Sequence, residues 1–233
     1  MQETRHHPKS VIWAWVQVDP STGETLDLIA RLSPADRERA ARFHRAEDRH
    51  RFIAGRGLLA ALLRQSGEAA SVPLQLDLTE HDRPFLPNSP QLAFSISHAG
   101  TVVAVALARN ARVGLDVEAL DRRVDFAAVA ERIFNPADLA RFHALPESGQ
   151  PRAFFRAWTG KEAILKGRGV GLSGGLQSIA APFDDHAALL TDAGETWHLR
   201  SLPLPAGHVG CIACDHPDFA LFQQDIQPDR MFA

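Results

Sequence analysis

The sequence predicts an α+β protein made of two α/β halves that meet near residue 111. Two observations carry this expectation. Strand-like runs such as VIWAWVQV (11–18) and TVVAVALA (101–108) are interleaved with longer segments of helical periodicity, and the polar stretch Asn110-Ala111-Arg112 separates two such series. The 233 residues, 45% apolar and 23% charged, fall in the globular range and suffice for one large or two modest domains. Residues 1–111 are taken as the N-terminal half and 112–233 as the C-terminal half.

In chain order, VIWAWVQV is rich in β-branched and aromatic residues and ends at Asp19-Pro20, so it reads as a strand buried on both faces and closed by a turn. Ser33-Pro34-Ala35-Asp36 starts a helix, with Ser33 as N-cap and Pro34 at the first helical position. A second helix runs from about Glu47 to Gln65, carrying Phe52, Gly55, Leu59 and Leu62 at helical spacing and stopping at Gly67. Turn chemistry dominates 73–90, read as a loop around a short strand. Leu92 to Ser97 and Thr101 to Ala108 then make a hairpin around His98-Ala99-Gly100. The second half opens with the strand VGLDVE (113–118). It continues with a helix around Phe126 to Ile133, a capped helix at Asn135-Pro136 and a third helix from about Arg152 to Lys166. The Gly-rich GRGVGLSGG and strands near 196–202 and 209–213 complete it.

Composition narrows the function classes. A net charge of −3 gives no global reason to bind nucleic acid or an anionic membrane. The apolar run Val11 to Val16 is too short to span a bilayer, and MQETRHHPKS lacks the arrangement of a signal peptide, so a cytoplasmic protein is expected. Two cysteines cannot form a disulfide framework. Of the 25 basic residues only three are Lys, and two of those, Lys161 and Lys166, lie in one short segment. A chain that otherwise uses Arg as its cation invites a chemical reason for ammonium groups there.

Within VGLDVE, period-2 alternation puts Gly114, Asp116 and Glu118 on one face, with the carboxylates about 7 Å apart along the strand. Two such groups can converge on one hard cation such as Mg²⁺; the competing reading is a half-exposed strand with a polar face. In FFRAWTGKEAILK, Phe154, Trp158 and Leu165 fall on a narrow arc, and Glu162 and Lys166 border it. They form either an i, i+4 surface ion pair or an acid and a base held close to the core. Ser97-His98 ends a strand before a Gly-containing turn, where a ligand can approach; G-x-S-x-G is absent, so His98 reads as an anion donor or a structural histidine. From Arg31 to Arg64 nine Arg face four acids, a segment suited to a phosphate, although most of these Arg belong to a solvated helical face. Cys211 and Cys214 with His208 and His216 superficially look like a zinc site, but residues three apart on a strand point to opposite faces, and zinc is not expected.

Taken in order, EDRHRFIAGR, FSISHAG, VGLDVE and FFRAWTGKEAILK resemble the successive signatures of the 4′-phosphopantetheinyl transferases, in the longer class that activates carrier proteins of peptide and polyketide synthetases. The match spans 33–172. The resemblance implies two similar α/β halves related by pseudo-twofold symmetry, with coenzyme A in the cleft between them. It also implies a monomer, working in secondary-metabolite or siderophore synthesis, with apo acyl, peptidyl or aryl carrier domains as partners and neither nucleic acid nor membrane. The N-terminal half would serve the coenzyme's 3′-phosphate and adenine, the C-terminal half metal binding and catalysis.

By motif position, Asp116, Glu118 and Glu162 would hold Mg²⁺, Ser97 and His98 would contact the diphosphate, and Arg51 would take the 3′-phosphate. Lys161 and Lys166 would serve the coenzyme from the helix. The family's loop before FSISH usually reads Gly-Lys-Pro; here it is Asp82-Arg83-Pro84, with Arg83 and Pro84 in the adenine-facing positions. Asp36 replaces a basic residue, which shifts the 3′-phosphate toward Arg39, Arg51 or Arg56. A carrier serine would attack the β-phosphorus and expel adenosine 3′,5′-bisphosphate. Asp116, Glu162 and Lys166 would be catalytic, with Glu162 accepting the serine proton directly or through a metal-bound water. Two rivals stand beside this reading: another Mg²⁺-dependent phosphotransfer or phosphodiester-cleaving enzyme, and a non-catalytic carrier-binding module.

Overall fold

The computed structural model describes residues 10–19, 27–68, 73–121, 125–171, 175–183, 186–190, 194–227 and 231. Residues 1–9 of the MQETRHHPKS segment, Pro20 and residues 172–174 of the Gly-rich segment lie outside them. The chain divides into two compact units: Met1–Asn110 with Ala220–Ala233, and Ala111–Phe219.

In the first unit, β1 (Ser10–Gln17) is followed by a 3₁₀ turn (Asp27–Arg31), α1 (Pro34–Ala41), α2 (Ala46–Gln65), β2 (Asp77–Leu78), β3 (Pro84–Phe85), β4 (Leu92–Ala99) and β5 (Val102–Arg109). Ser33 caps α1 by accepting from the Asp36 amide at 3.1 Å, which satisfies one of the open donors of the first turn. The 73–90 segment holds a two-stranded antiparallel hairpin where one short strand is expected. β1, β5 and β4 pair antiparallel, so that Val16 lies opposite Val103 and Ile96 opposite Val105. The Ile53, Leu59 and Leu62 side of α2 buries against Ile12, Val103 and Val105. Burial of each large apolar side chain contributes about 1.5–3 kcal/mol. The last strand, β10 (Ala220–Gln223), runs parallel to β1 at the sheet edge. Its four residues therefore join the sheet of the first unit, although the reading from sequence groups 112–233 together.

The second unit runs through β6 (Val113–Ala119), α3 (Phe126–Ile133), α4 (Pro136–His143), α5 (Gln150–Arg168), a 3₁₀ turn (Leu176–Ser178), β7 (His186–Leu190), β8 (Thr196–Ser201) and β9 (His208–Cys214). Asn135 caps α4 through the Asp138 amide at 2.9 Å, and Gly169 closes α5 in the left-handed region at φ 75°. The sheet order is β6-β9-β8-β7, antiparallel throughout. α5 lies on this sheet, and Phe126, Phe134 and Phe142 of the α3–α4 region pack on its Phe154 and Phe155 at ring separations of 5.2 to 6.4 Å.

Candidate active site

The position of α5 follows from three glycines. A Cβ at Gly114 of β6 would collide with the backbone of Ala163 and Gly167, and one at Gly167 would strike the Trp197 ring. Gly160 is similarly closed in by Pro182 and Leu199. Without these side chains, the helix axis comes unusually close to the sheet, and short contacts across the layer become possible.

One such contact joins Lys166 Nζ to Asp116 Oδ1 at 2.6 Å, with the two side chains 34% and 8% exposed. Register places Asp116 opposite Cys211 and Glu118 opposite Val209, on the sheet face that α5 covers. Glu162, one helical turn before Lys166, is 9% exposed and its Oε1 is buried without a hydrogen-bond partner. Burial, then the charge of Asp116, push the Glu162 carboxyl up to about 7; Glu118 adds to this and Lys166 opposes it. The structure thus gathers Asp116, Glu118, Glu162 and Lys166 into one electrostatic neighbourhood. Three carboxylates repel one another, with one ammonium as counter-ion. All the available donors are hard oxygens, the chemistry that suits a cation such as Mg²⁺. Among the described residues no group of three His, Cys, Asp or Glu side chains is drawn together as a preformed metal cage.

Lys161 stands elsewhere. It is 0% exposed, and its ammonium donates to the carbonyls of Ile133 (3.0 Å), Leu176 (2.8 Å) and Ile179, below the Phe134 ring. Burial lowers it to about 8, with Asp138 opposing. The coenzyme-facing position expected for Lys161 is therefore corrected: its three donors are engaged by backbone, and it ties the end of α3 and the 176–179 turn to α5.

In the first unit, Arg51 donates to Gly100 O at 2.8 Å and to Asp48 Oδ1 at 2.6 Å, which draws it to the turn that follows Ser97 and His98. Ser97 is buried and His98 exposed on β4. Arg56 donates from Nε to both oxygens of Asp36 at 3.0 Å in a buried pair, and it lies over Phe52 at 4.6 Å. Asp36, which replaces a basic residue of the family pattern, is thus explained as the partner of Arg56. Arg39 is exposed on the rim of an open cavity of about 410 Å³ lined also by Arg42, Leu76, Leu78 and Asp82. Arg83 is half-buried and donates to Phe94 O at 3.4 Å; Pro84 begins β3. Cys211 and Cys214 are free and buried on β9, and desolvation raises their thiols to about 12 and about 11.

The sequence reading did not identify the Asp36–Arg56 pair or the three glycines. Asp36 in a basic position was the one available signal for the pair. For the glycines, Gly160 and Gly167 at seven-residue spacing on α5 mark a smooth helix face.

Comparisons with known proteins give consistent results. Residues 112–213 match the model of the 4′-phosphopantetheinyl transferase superfamily, and residues 15–110 match that of the 4′-phosphopantetheinyl transferase N-terminal region. A 4′-phosphopantetheinyl transferase of Bacillus subtilis is 27% identical over 213 residues, covering 85% of this chain and 89% of the relative. The 4′-phosphopantetheinyl transferase HetI of a Nostoc strain is 32% identical over 161 residues, 68% of each chain. The 4′-phosphopantetheinyl transferase AcpT of Escherichia coli K12 is 35% identical over 141 residues, 60% of this chain and 67% of the relative.

Proposed function

The chain belongs to the 4′-phosphopantetheinyl transferase superfamily, and from that premise we propose how its residues move the 4′-phosphopantetheine group from coenzyme A to a carrier protein. The observation that supports the assignment of chemistry to β6 and α5 is the Asp116–Lys166 contact beside the unpartnered Oε1 of Glu162.

Asp116, Glu118 and Glu162 would hold Mg²⁺. When bound, the ion neutralises the coenzyme's diphosphate and charge that develops on it. Glu162, directly or through a water, takes the proton of the carrier serine as its Oγ forms a bond to the β-phosphorus. The bond from that phosphorus to the bridging oxygen breaks, and adenosine 3′,5′-bisphosphate leaves with the electron pair. Lys166 offsets the negative charge that builds up. Asp116 orients the Lys166 ammonium, which it meets at 2.6 Å, besides being one of the residues that would hold the ion. Ser97 and His98 donate to the diphosphate. Arg51 and Arg39 take the 3′-phosphate, and Arg83 with Pro84 lies against the adenine. The protein acts as a monomer in the cytoplasm, on acyl, peptidyl or aryl carrier domains of secondary-metabolite or siderophore synthesis. No helix among the described residues is long and apolar enough to cross a membrane.

The test is incubation with coenzyme A and a panel of apo carrier proteins, with and without Mg²⁺, read by intact mass. Gain of one phosphopantetheine on a carrier only in the presence of the ion is expected. A gain undiminished by chelation would remove the ion from the reading, and no gain on any carrier would remove the carrier assignment.

A further inference from the structure

The second unit contains a cavity of about 230 Å³ that the transfer chemistry does not use. Its wall is formed by the first half of α5, the 199–204 segment and the start of β9, with Arg152, Arg156, Thr159, Ser201, His208 and Cys211 among the lining residues. Arg152 and Arg156 are one turn apart on α5, so both guanidiniums serve the same wall. Arg156 is oriented by donating from Nη1 to Phe183 O at 3.1 Å. No acidic side chain lines the cavity among the described residues. Among the described residues, two cationic side chains therefore line one cavity without a lining carboxylate, a setting that favours an anion.

His208 provides an independent observation. Both ring nitrogens are buried and neither has a hydrogen-bond partner from the protein. A neutral imidazole carries one donor and one acceptor, and a charged one two donors; leaving either buried without a partner is costly. A group in the cavity that accepts from the imidazole N–H and from the guanidinium forks satisfies both at once. Planar or tetrahedral oxyanions have that geometry, and guanidinium groups bind them through paired N–H donors.

We propose that this cavity is an oxyanion site that takes a carboxylate or a phosphate group. It is separate from the reacting residues but adjacent to them: Cys211 and Val209 of its wall stand opposite Asp116 and Glu118 on the neighbouring strand. The assignment does not depend on coenzyme A or on a carrier protein, and its test uses neither.

The experiment is a titration of the full ¹³C,¹⁵N-labelled chain, first with inorganic phosphate and then with acetate, following the His208 ring and Arg152 guanidinium signals. A saturable shift of both is expected, and Arg152→Gln should weaken it about tenfold, as loss of one charge-assisted contact implies. Arg152 is exposed in the first turn of α5, so this variant keeps the fold; His208→Gln, checked by the retained spectrum of the other residues, should weaken phosphate likewise. Preference for phosphate over acetate identifies a phosphoryl ligand, whereas comparable binding of acetate identifies a carboxylate. Shifts that do not saturate with either anion, or that persist unchanged in Arg152→Gln, would overturn the site.

Discussion

Lys166 Nζ reaches Asp116 Oδ1 at 2.6 Å across the layer between α5 and β6, and Gly114, two residues before Asp116, is what lets the helix come that close. Charge and packing are therefore one problem at this site. Gly114→Ala places a methyl group against the backbone of Ala163 and Gly167, atoms that cannot rotate away. The variant should lose about 3 kcal/mol or more of stability, at the upper end for overpacking. Its carrier modification should fall even at temperatures where it remains folded. Wild-type Tm and turnover in Gly114→Ala would show that the helix does not need this approach.

Asp116→Ala and Glu162→Ala should each abolish carrier modification while the fold persists. Lys166, 34% exposed, can turn to water when Asp116 is removed, and loss of Glu162 removes a strained carboxylate from beside two others. Glu118→Ala should hurt less, because its half-exposed position allows water to replace it. Intact mass of the carrier reads turnover and circular dichroism reads the fold. Near wild-type turnover in either of the first two would separate these residues from the reaction.

Much of this arrangement is legible in the sequence because it depends on local rules. Ser33-Pro34 and Asn135-Pro136 announce their helices by capping, and strict alternation in VGLDVE fixes which face Asp116 and Glu118 share. What escapes depends on partners far apart in the chain. ALFQ becomes β10 only because β1, some two hundred residues earlier, offers an edge. Arg56 has Asp36 as its partner only because α1 brings it there. Lys161 and Lys166 differ little in sequence, yet one turns into backbone carbonyls and the other toward β6.

The Asp36–Arg56 pair separates two arginines that charge counting treats alike. Arg56→Ala leaves Asp36 buried without its partner and should cost about 3 kcal/mol of stability. Arg39→Ala, at an exposed position, should leave Tm unchanged and raise KM for coenzyme A, with little effect on dephospho-coenzyme A. Arg51→Ala should likewise narrow the difference between the two coenzymes. Calorimetric titration with both coenzymes checks this; discrimination undiminished in both Arg39→Ala and Arg51→Ala would move the 3′-phosphate away from them.

The thiols offer a check by pH. Burial raises Cys214 to about 11 and Cys211 to about 12, so at pH 8 about one Cys214 in a thousand is thiolate, and fewer of Cys211. Neither should react with a thiol-directed disulfide reagent in the native protein, and both should react after denaturation. Rapid native labelling of either would place that thiol outside the core.

The two lysines of α5 give the sharpest contrast. Lys166 faces the carboxylates, whereas Lys161 is enclosed by the Ile133, Leu176 and Ile179 carbonyls. Lys161→Met strands these acceptors in the interior, so it should lower stability by about 1–3 kcal/mol while KM for coenzyme A stays near wild type below the melting range. Lys166→Met should instead strike the kinetics. It leaves Asp116, 8% exposed, without this ammonium, so some loss of Tm is expected here too, and the kinetics carry the contrast. If Lys166 offsets charge that appears only as the β-phosphorus is transferred, kcat and kcat/KM should fall together by a factor on the order of hundreds. Melting curves and steady-state kinetics on the same two proteins decide it. A large Tm loss with intact kcat in Lys166→Met, together with a kinetic defect and a normal Tm in Lys161→Met, would exchange their roles and with them the face of α5 that meets the substrate.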